Sequence, residues 1–334
     1  MTNMKAAVSG PAGFEFVDVA RPRPGPAQIL VRVRAAALNR ADLGALVGKA
    51  RVLGMECAGE VVETGAEVTR FRVGDRVMCS GAAGFAEYAV ADWGRAMHLP
   101  MDGMTYEQAA GLPLALQTMH DAIVTNGSMR GGDAVLIQGA SSGVGLMGLQ
   151  IAKLMGARIV IGTSTDSARR DRLAEFGADI ALDSADPHWA QRAVEGSGGD
   201  GMDLIVDQLA GPLVNQNLAA AAVLGRIVNV GRMAGRHGEF DFDLHALKRI
   251  SYIGVTFRTR TVEQVREITA RAMADLAPAL RRGELSLPID SVFALAQLGD
   301  AFARMRANQH FGKIIVVPQH SINNDEPRAE LSDT

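Results

Sequence analysis

Cysteine is nearly missing from this sequence: Cys57 and Cys79 are the only two in 334 residues. Two thiols cannot build a disulfide framework or an all-cysteine zinc site. The seven histidines show no local metal-ligand spacing, so no metal is expected. Excess basic charge is missing as well. With a net charge of -3 and no long Lys/Arg run, the chain lacks the clustered positive surface that phosphate backbones require, which argues against nucleic acid as the main partner. No uninterrupted apolar run reaches membrane length, and the opening MTNMKAAVSG has no signal-peptide apolar region. A soluble, cytoplasmic protein without a membrane partner is expected. The length exceeds one ordinary core, so two domains are expected.

What is present centres on residues 134–165, AVLIQGASSGVGLMGLQIAKLMGARIVIGTST. A short apolar run at 134–138 reads as a buried parallel strand. It is followed by a glycine turn, a helix and a second apolar run, the pattern of a βαβ unit that holds a dinucleotide. Gly139, Gly143 and Gly145 permit backbone angles and close approaches that a Cβ would block, and the helix start aims its free N–H groups at the turn, where a pyrophosphate fits. The turn comprises Gly139, Ala140, Ser141, Ser142, Gly143, Val144 and Gly145. A literal G-x-G-x-x-G at 143–148 begins too late after the strand. In the window directly after the strand, Ala140 and Ser142 stand in place of the first two glycines and Gly145 keeps the third, helix-packing place.

Residues 5–111 read differently. Short β-rich runs at 14–19, 29–37 and 60–77 are separated by Pro and Gly clusters such as RPRPGPAQ, and 85–89 continues the pattern, giving a twisted antiparallel domain. Thr105 is a plausible N-cap for a helical stretch that runs to residue 126. After the glycine turn, strands are expected at 158–162, 179–182, 202–207, 226–230 and 252–257, alternating with helices. Six parallel strands fit the doubly wound order. Helices at 262–282 and 298–308 and a closing strand at 310–317 follow. The polar tail after Pro318 reads as disordered.

The words AAALNRADL, LGMECAGEVVETGAEVTRFRVGDRV, GFAEYAV, AAGLPLALQTMHDAI, GASSGVGLMGLQIAKLMGA and HFGKIIVVP extend over almost all of residues 4–317. In these the chain resembles the medium-chain dehydrogenase/reductase superfamily, within it the zinc-free quinone oxidoreductase branch. The resemblance implies an α/β protein with a GroES-like, mainly antiparallel β catalytic domain (1–121 and 258–334) and a doubly wound Rossmann cofactor domain (122–257). Where the zinc alcohol dehydrogenases carry a ligand Cys this chain has Asn39, and their Gly-His-Glu is Gly54-Met55-Glu56 here. The four-cysteine structural-zinc lobe has no counterpart. Without a Lewis acid to ionise an alcohol, reduction of an electron-poor acceptor is the better reading.

The resemblance also implies site residues. Asn39 offers an amide near the nicotinamide. Thr118 stands beside it, and His120 replaces a usual aromatic, which suits either catalysis or packing. Gln117 faces the substrate or a polar helix side. Arg40 and Asp42 form pocket wall or a local salt bridge. Relatives carry a longer Tyr-Pro-rich loop where this chain has residues 43–53, so a more open rim is expected. At the end of the second cofactor-domain strand, Thr163, Ser164 and Thr165 with Arg169 suit a 2′-phosphate, whereas NAD enzymes place a carboxylate there. NADPH is therefore the expected cofactor, with Asp166 capping the next helix. Asn229, Gly231 and Lys313 are expected near the cofactor, and a homodimer through residues 253–257. The activity expected is hydride transfer to a quinone or an enone. Two alternatives stand beside it: an enoyl-thioester reductase, and a cofactor-binding protein without turnover.

Overall fold

Residues 28–37, QILVRVRAAA, are apolar at seven of ten positions, on both faces, because the strand they form is covered on both sides. In the computed structural model, which describes residues 2–319, this strand is the hub of the first sheet. The strands preceding the glycine turn are β1 (Asn3–Gly10), β2 (Gly13–Ala20), β3 (Gln28–Ala37), β4 (Glu56–Thr64), β5 (Arg76–Ser80), β6 (Tyr88–Asp92) and β7 (Ala96–His98). From the turn onward come β8 (Ala134–Ile137), β9 (Ile159–Thr163), β10 (Ile180–Leu182), β11 (Met202–Asp207), β12 (Ala221–Asn229), β13 (Ser251–Gly254), β14 (Ile289–Ala294) and β15 (Lys313–Val317).

The first sheet runs β14-β15-β3-β4-β5-β7, with β6 also on β3; every pairing is antiparallel except β14 with β15. β1 and β2 form a separate hairpin. The second sheet is parallel throughout, in the order β10-β9-β8-β11-β12-β13. That is the doubly wound order, whose reversal point lies between β8 and β11 and leaves a crevice at the strands' carboxyl ends.

Helices between the sheets fix the crevice. The expected stretch 105–126 is broken into a short helix Tyr106–Ala110 capped by Thr105, the helix Pro113–His120, and a π-turn Asp121–Asn126. Nearly all of Pro113–His120 is buried, because one apolar cluster runs from Ala58 and Met78 of the first sheet through Leu116 and Met119 to Val135 of the second sheet and Leu146 of the helix Gly143–Leu154. Tight packing of this kind holds the two sheets in a set relation. The helix expected at SARRDRLAEFG is two short pieces, Ser167–Arg170 and a 3-10 turn Leu173–Phe176, with Asp166 accepting from Arg169 N at 2.9 Å as the cap. The tail expectation after Pro318 lies almost wholly outside the described residues. No helix among the described residues is long and apolar enough to cross a membrane.

Candidate functional site

Three neighbouring strands bring the central side chains together. β15 pairs with β3 (Ile315 opposite Ala37), β3 with β4 (Ala36 opposite Cys57), and Leu38 N donates to Ile314 O at 2.9 Å. The residues just beyond these pairings are Asn39, Glu56 and Lys313, so they converge. Lys313 Nζ donates to Glu56 Oε1 at 2.6 Å and to Asn39 Oδ1 at 2.9 Å. Asn39 Nδ2 donates to the same Glu56 oxygen at 2.9 Å, and Leu114 N to the other at 2.9 Å. Glu56 and Lys313 are buried, at 0% and 4% exposure, so each charge depends on the other. Asn39 Nδ2 spends its second N–H on Ala37 O at 3.4 Å, so one Lys313 N–H and one lone pair of Asn39 Oδ1 remain for a ligand.

The glycine turn lies against this cluster. Ser142 forms a bridge with Gly312, and a Cβ on Gly143 would meet the Lys313 side chain at 2.8 Å. Ser142 caps the helix Gly143–Leu154 by accepting from Gly145 N at 3.0 Å. Gly139 has φ +70°, and a Cβ on Gly145 would stand 2.6 Å from Gly139 O, so the third fingerprint glycine is required by helix-to-turn contact.

Between the two sheets these groups line a pocket of about 440 Å³. Of the expected residues it gathers Asn39, Gly139, Ser141, Ser142, Gly143, Val144, Ser164, Thr165, Arg169 and Lys313. Its volume, glycine turn, helix N-terminus and hydroxyl-plus-guanidinium end suit a dinucleotide. Residues 43–53 contribute nothing to its wall. Six further candidates stand behind the wall as supports. Ala140 and Gly145 pack inside the turn, and Thr163, fully buried, accepts from Gly139 N at 3.1 Å and donates to Gln138 Oε1 at 2.6 Å. Asn229 donates to Gly231 O at 2.9 Å, and a Cβ on Gly231 would meet Gln208 O at 2.4 Å. Thr118 is half-buried and does not line the pocket.

His120 carries two expectations, catalysis or packing. It is 1% exposed, lies outside the pocket wall, and its Nε2 is 2.7 Å from Asp275 Oδ2 on the helix Val262–Arg281. That placement fits the packing reading of His120 rather than the catalytic one. Gln117 likewise turns inward to Thr269 Oγ1 at 3.0 Å. Sequence reasoning missed Glu56 as the partner of Lys313, and Met233, Asn308 and His310 as wall, whereas Gln208 and Leu209 line it in the stretch 207–211 expected to offer main-chain contacts. Burial pushes the His310 imidazole down to about 4, helped by Arg40, so the ring is neutral at neutral pH.

Asp42 is buried below this cluster; its Oδ2 accepts from Asn39 N at 2.8 Å and its Oδ1 has no hydrogen-bond partner among the described residues. Burial pushes its carboxyl up to about 7, against the opposing pull of the Asn39 N–H and Lys313. A raised folded pKa favours the fold at low pH, and the contribution disappears as pH rises from the unfolded value toward 7. Asp42→Asn mimics the neutral carboxyl. Its stability advantage over the parent should therefore grow by a few kcal/mol between about pH 4 and 7 and then level off, measured by denaturant unfolding. An advantage constant with pH would contradict burial as the cause.

Comparison with known proteins agrees with this geometry. The alcohol dehydrogenase GroES-like domain model matches residues 25–101 and the zinc-binding dehydrogenase model residues 143–274. A quinone oxidoreductase of Pseudomonas aeruginosa is 32% identical over 323 residues, which span 94% of this chain and 98% of that protein. A phenolphthiocerol/phthiocerol polyketide synthase component of Mycobacterium tuberculosis is 29% identical over 311 residues, 91% of this chain but 14% of that longer protein. A solved mycobacterial protein in complex with NADPH has a TM-score of 0.85 at 25% identity, covering 94% of this chain and 100% of its own. Asn39 and Met55 are poor zinc ligands, and among the described residues no group of three or more His, Cys, Asp or Glu side chains is placed to hold a metal. On fold, pocket and relatives together, the chain belongs to the medium-chain dehydrogenase/reductase superfamily, in its zinc-free quinone oxidoreductase branch.

Proposed function

We propose that the chain is an NADPH-dependent oxidoreductase that reduces a quinone or the β-carbon of an α,β-unsaturated carbonyl. The observation that carries this reading is one pocket joining a glycine turn, a hydroxyl-and-guanidinium end, and the buried Lys313–Glu56–Asn39 cluster. When bound, NADPH supplies the hydride. The chain's part is placement. The turn N–H groups and the remaining Lys313 N–H take phosphate oxygens. Thr165, Ser164 and Arg169 take the adenosine ribose and its 2′-phosphate. Asn39, pinned by Lys313 and Glu56, presents a fixed amide to the ring or acceptor, so that proximity supplies much of the rate. Either acceptor spreads developing negative charge onto oxygen, and solvent delivers the proton through the open rim.

The domain division at 121/122 and 257/258 is supported by the sheets, since every strand of the parallel sheet lies between 134 and 254. A homodimer is supported by β13, which among the described residues is an edge strand with one open side, beside exposed Tyr252, Phe242 and Leu247. A cytoplasmic setting belongs to the proposal; there Cys57 and Cys79, buried opposite each other on β4 and β5, stay reduced.

Steady-state oxidation of NADPH and NADH with a para-quinone, an ortho-quinone, a simple enone and an enoyl thioester, under a chelator, tests the proposal. Quinone or enone turnover that prefers NADPH and ignores the chelator is expected. Turnover confined to the thioester would replace the proposal with thioester reduction, and tight NADPH binding without turnover would replace it with a binding role.

A further inference from the structure

Three arginines near the interlobe core are matched by carboxylates: Arg226 to Asp133, Arg260 to Asp121 and Arg266 to Asp92, each at 2.7 Å. Arg40 departs from that pattern. It opens the 3-10 helix that follows β3, lines the pocket, and has no carboxylate within ion-pair distance among the described residues. Its one hydrogen bond among those residues runs from Nη2 to Asn308 Oδ1 at 2.9 Å. Arg169, on the short helix Ser167–Arg170 that follows β9, donates to the main-chain oxygen of the same Asn308. Two guanidiniums from opposite lobes thus meet at one residue. Among the described residues the carboxylate close to either is Asp166, whose Oδ2 is 3.8 Å from Arg169 Nε and whose Oδ1 is already used to cap Arg169's own N–H.

Like charges held together beside a neutral histidine are unfavourable unless something negative joins them. Burial and the Arg169 charge both pull the Arg40 pKa down. The rigid fork of a guanidinium matches phosphate oxygens, and two forks suit a dianion. The hydroxyls of Ser164 and Thr165 line the same pocket.

We propose that Arg40 and Arg169 together hold one phosphomonoester dianion, the 2′-phosphate of the cofactor, making Arg40 a second determinant of NADPH over NADH contributed from across the cleft. The proposal rests on the NADPH reading above and adds to it the residue that completes the phosphate site. It also makes the phosphate a tie between the lobes.

The test is calorimetric titration of the full chain with NADPH, NADH, adenosine 2′,5′-bisphosphate and 5′-AMP, for the parent, Arg40→Gln, Arg169→Gln and the double variant. Each single variant is expected to lose about 10–100-fold in affinity for NADPH and for the 2′,5′-bisphosphate, with NADH and 5′-AMP changed less than about threefold. The double variant should lose less than the product, because both forks serve one anion. Arg40→Lys keeps the charge without the fork and should fall between, and it serves as the folded comparison should Arg40→Gln melt early. If Arg169→Gln alone erases the NADPH preference while Arg40→Gln and Arg40→Lys bind as the parent does, the inference fails and the NADPH reading stands. Equal loss for NADPH and NADH on changing Arg40 would make it a wall-shaping residue only, which also overturns the inference. A parent that binds NADH as tightly as NADPH overturns the cofactor reading itself.

Discussion

Glu56→Ala is expected to lower the unfolding free energy by about 3–5 kcal/mol, because it strands a buried ammonium. Lys313 Nζ would keep only Asn39 Oδ1, and Leu114 N would lose its acceptor. Lys313→Ala should cost a similar amount by stranding the carboxylate. Replacing both, as Glu56→Leu with Lys313→Met, removes the two charges and should recover most of the stability, since a buried pair contributes little net over apolar groups of like volume. Function should not follow stability. The double variant loses the Lys313 donor and the tether on Asn39, so NADPH affinity should remain at least about tenfold down while the fold returns. Denaturant midpoints and NADPH titrations on the four proteins check this. Additive single-variant costs in the double would contradict a coupled pair.

Gly312→Ala is the second large effect. Gly312 has φ +87°, and a Cβ there would stand 2.2 Å from Pro288 O, a main-chain atom that cannot swing aside. The left-handed conformation alone costs an L-residue roughly 1–2 kcal/mol. The clash adds to it, so a total loss of about 2–4 kcal/mol is expected. The displaced loop carries Lys313 and the bridge to Ser142, so NADPH affinity should fall with it. Gly299→Ala is the matched control: nothing lies within 4 Å of its Cβ and it stands in the helix Leu298–Arg306, where Ala is preferred. The control should be neutral or slightly stabilising in the same thermal melt. Equal behaviour of the two variants would contradict the close approach.

The architecture was legible in the sequence because its signals are local. Buried parallel strands are short apolar runs, and β8, β9 and β11 appear within one residue of their expected bounds. β14 was not foreseen: SLPIDSVFALA is only partly buried on either face, so it carries no clear alternation. β12 begins five residues early, in an alanine-rich segment whose helix preference is overridden by pairing with Met202. The site was half legible. The turn and the end of β9 are contiguous in sequence and announce themselves. Glu56 with Lys313 are 257 residues apart, and Arg40 with Asn308 are 268 apart; only the sheet order brings them together. Thr163 and Asn229 were rightly seen at strand ends, yet a strand end sends alternate side chains to opposite faces, and theirs point into the support rather than the pocket.

The most direct test of the central claim is the loss of NADPH absorbance on adding a para-quinone to the purified chain in the presence of a chelator. Rapid, saturable oxidation of NADPH is predicted, with much slower oxidation of NADH and no effect of the chelator. Activity that appears only on adding zinc, or that prefers NADH, would contradict it.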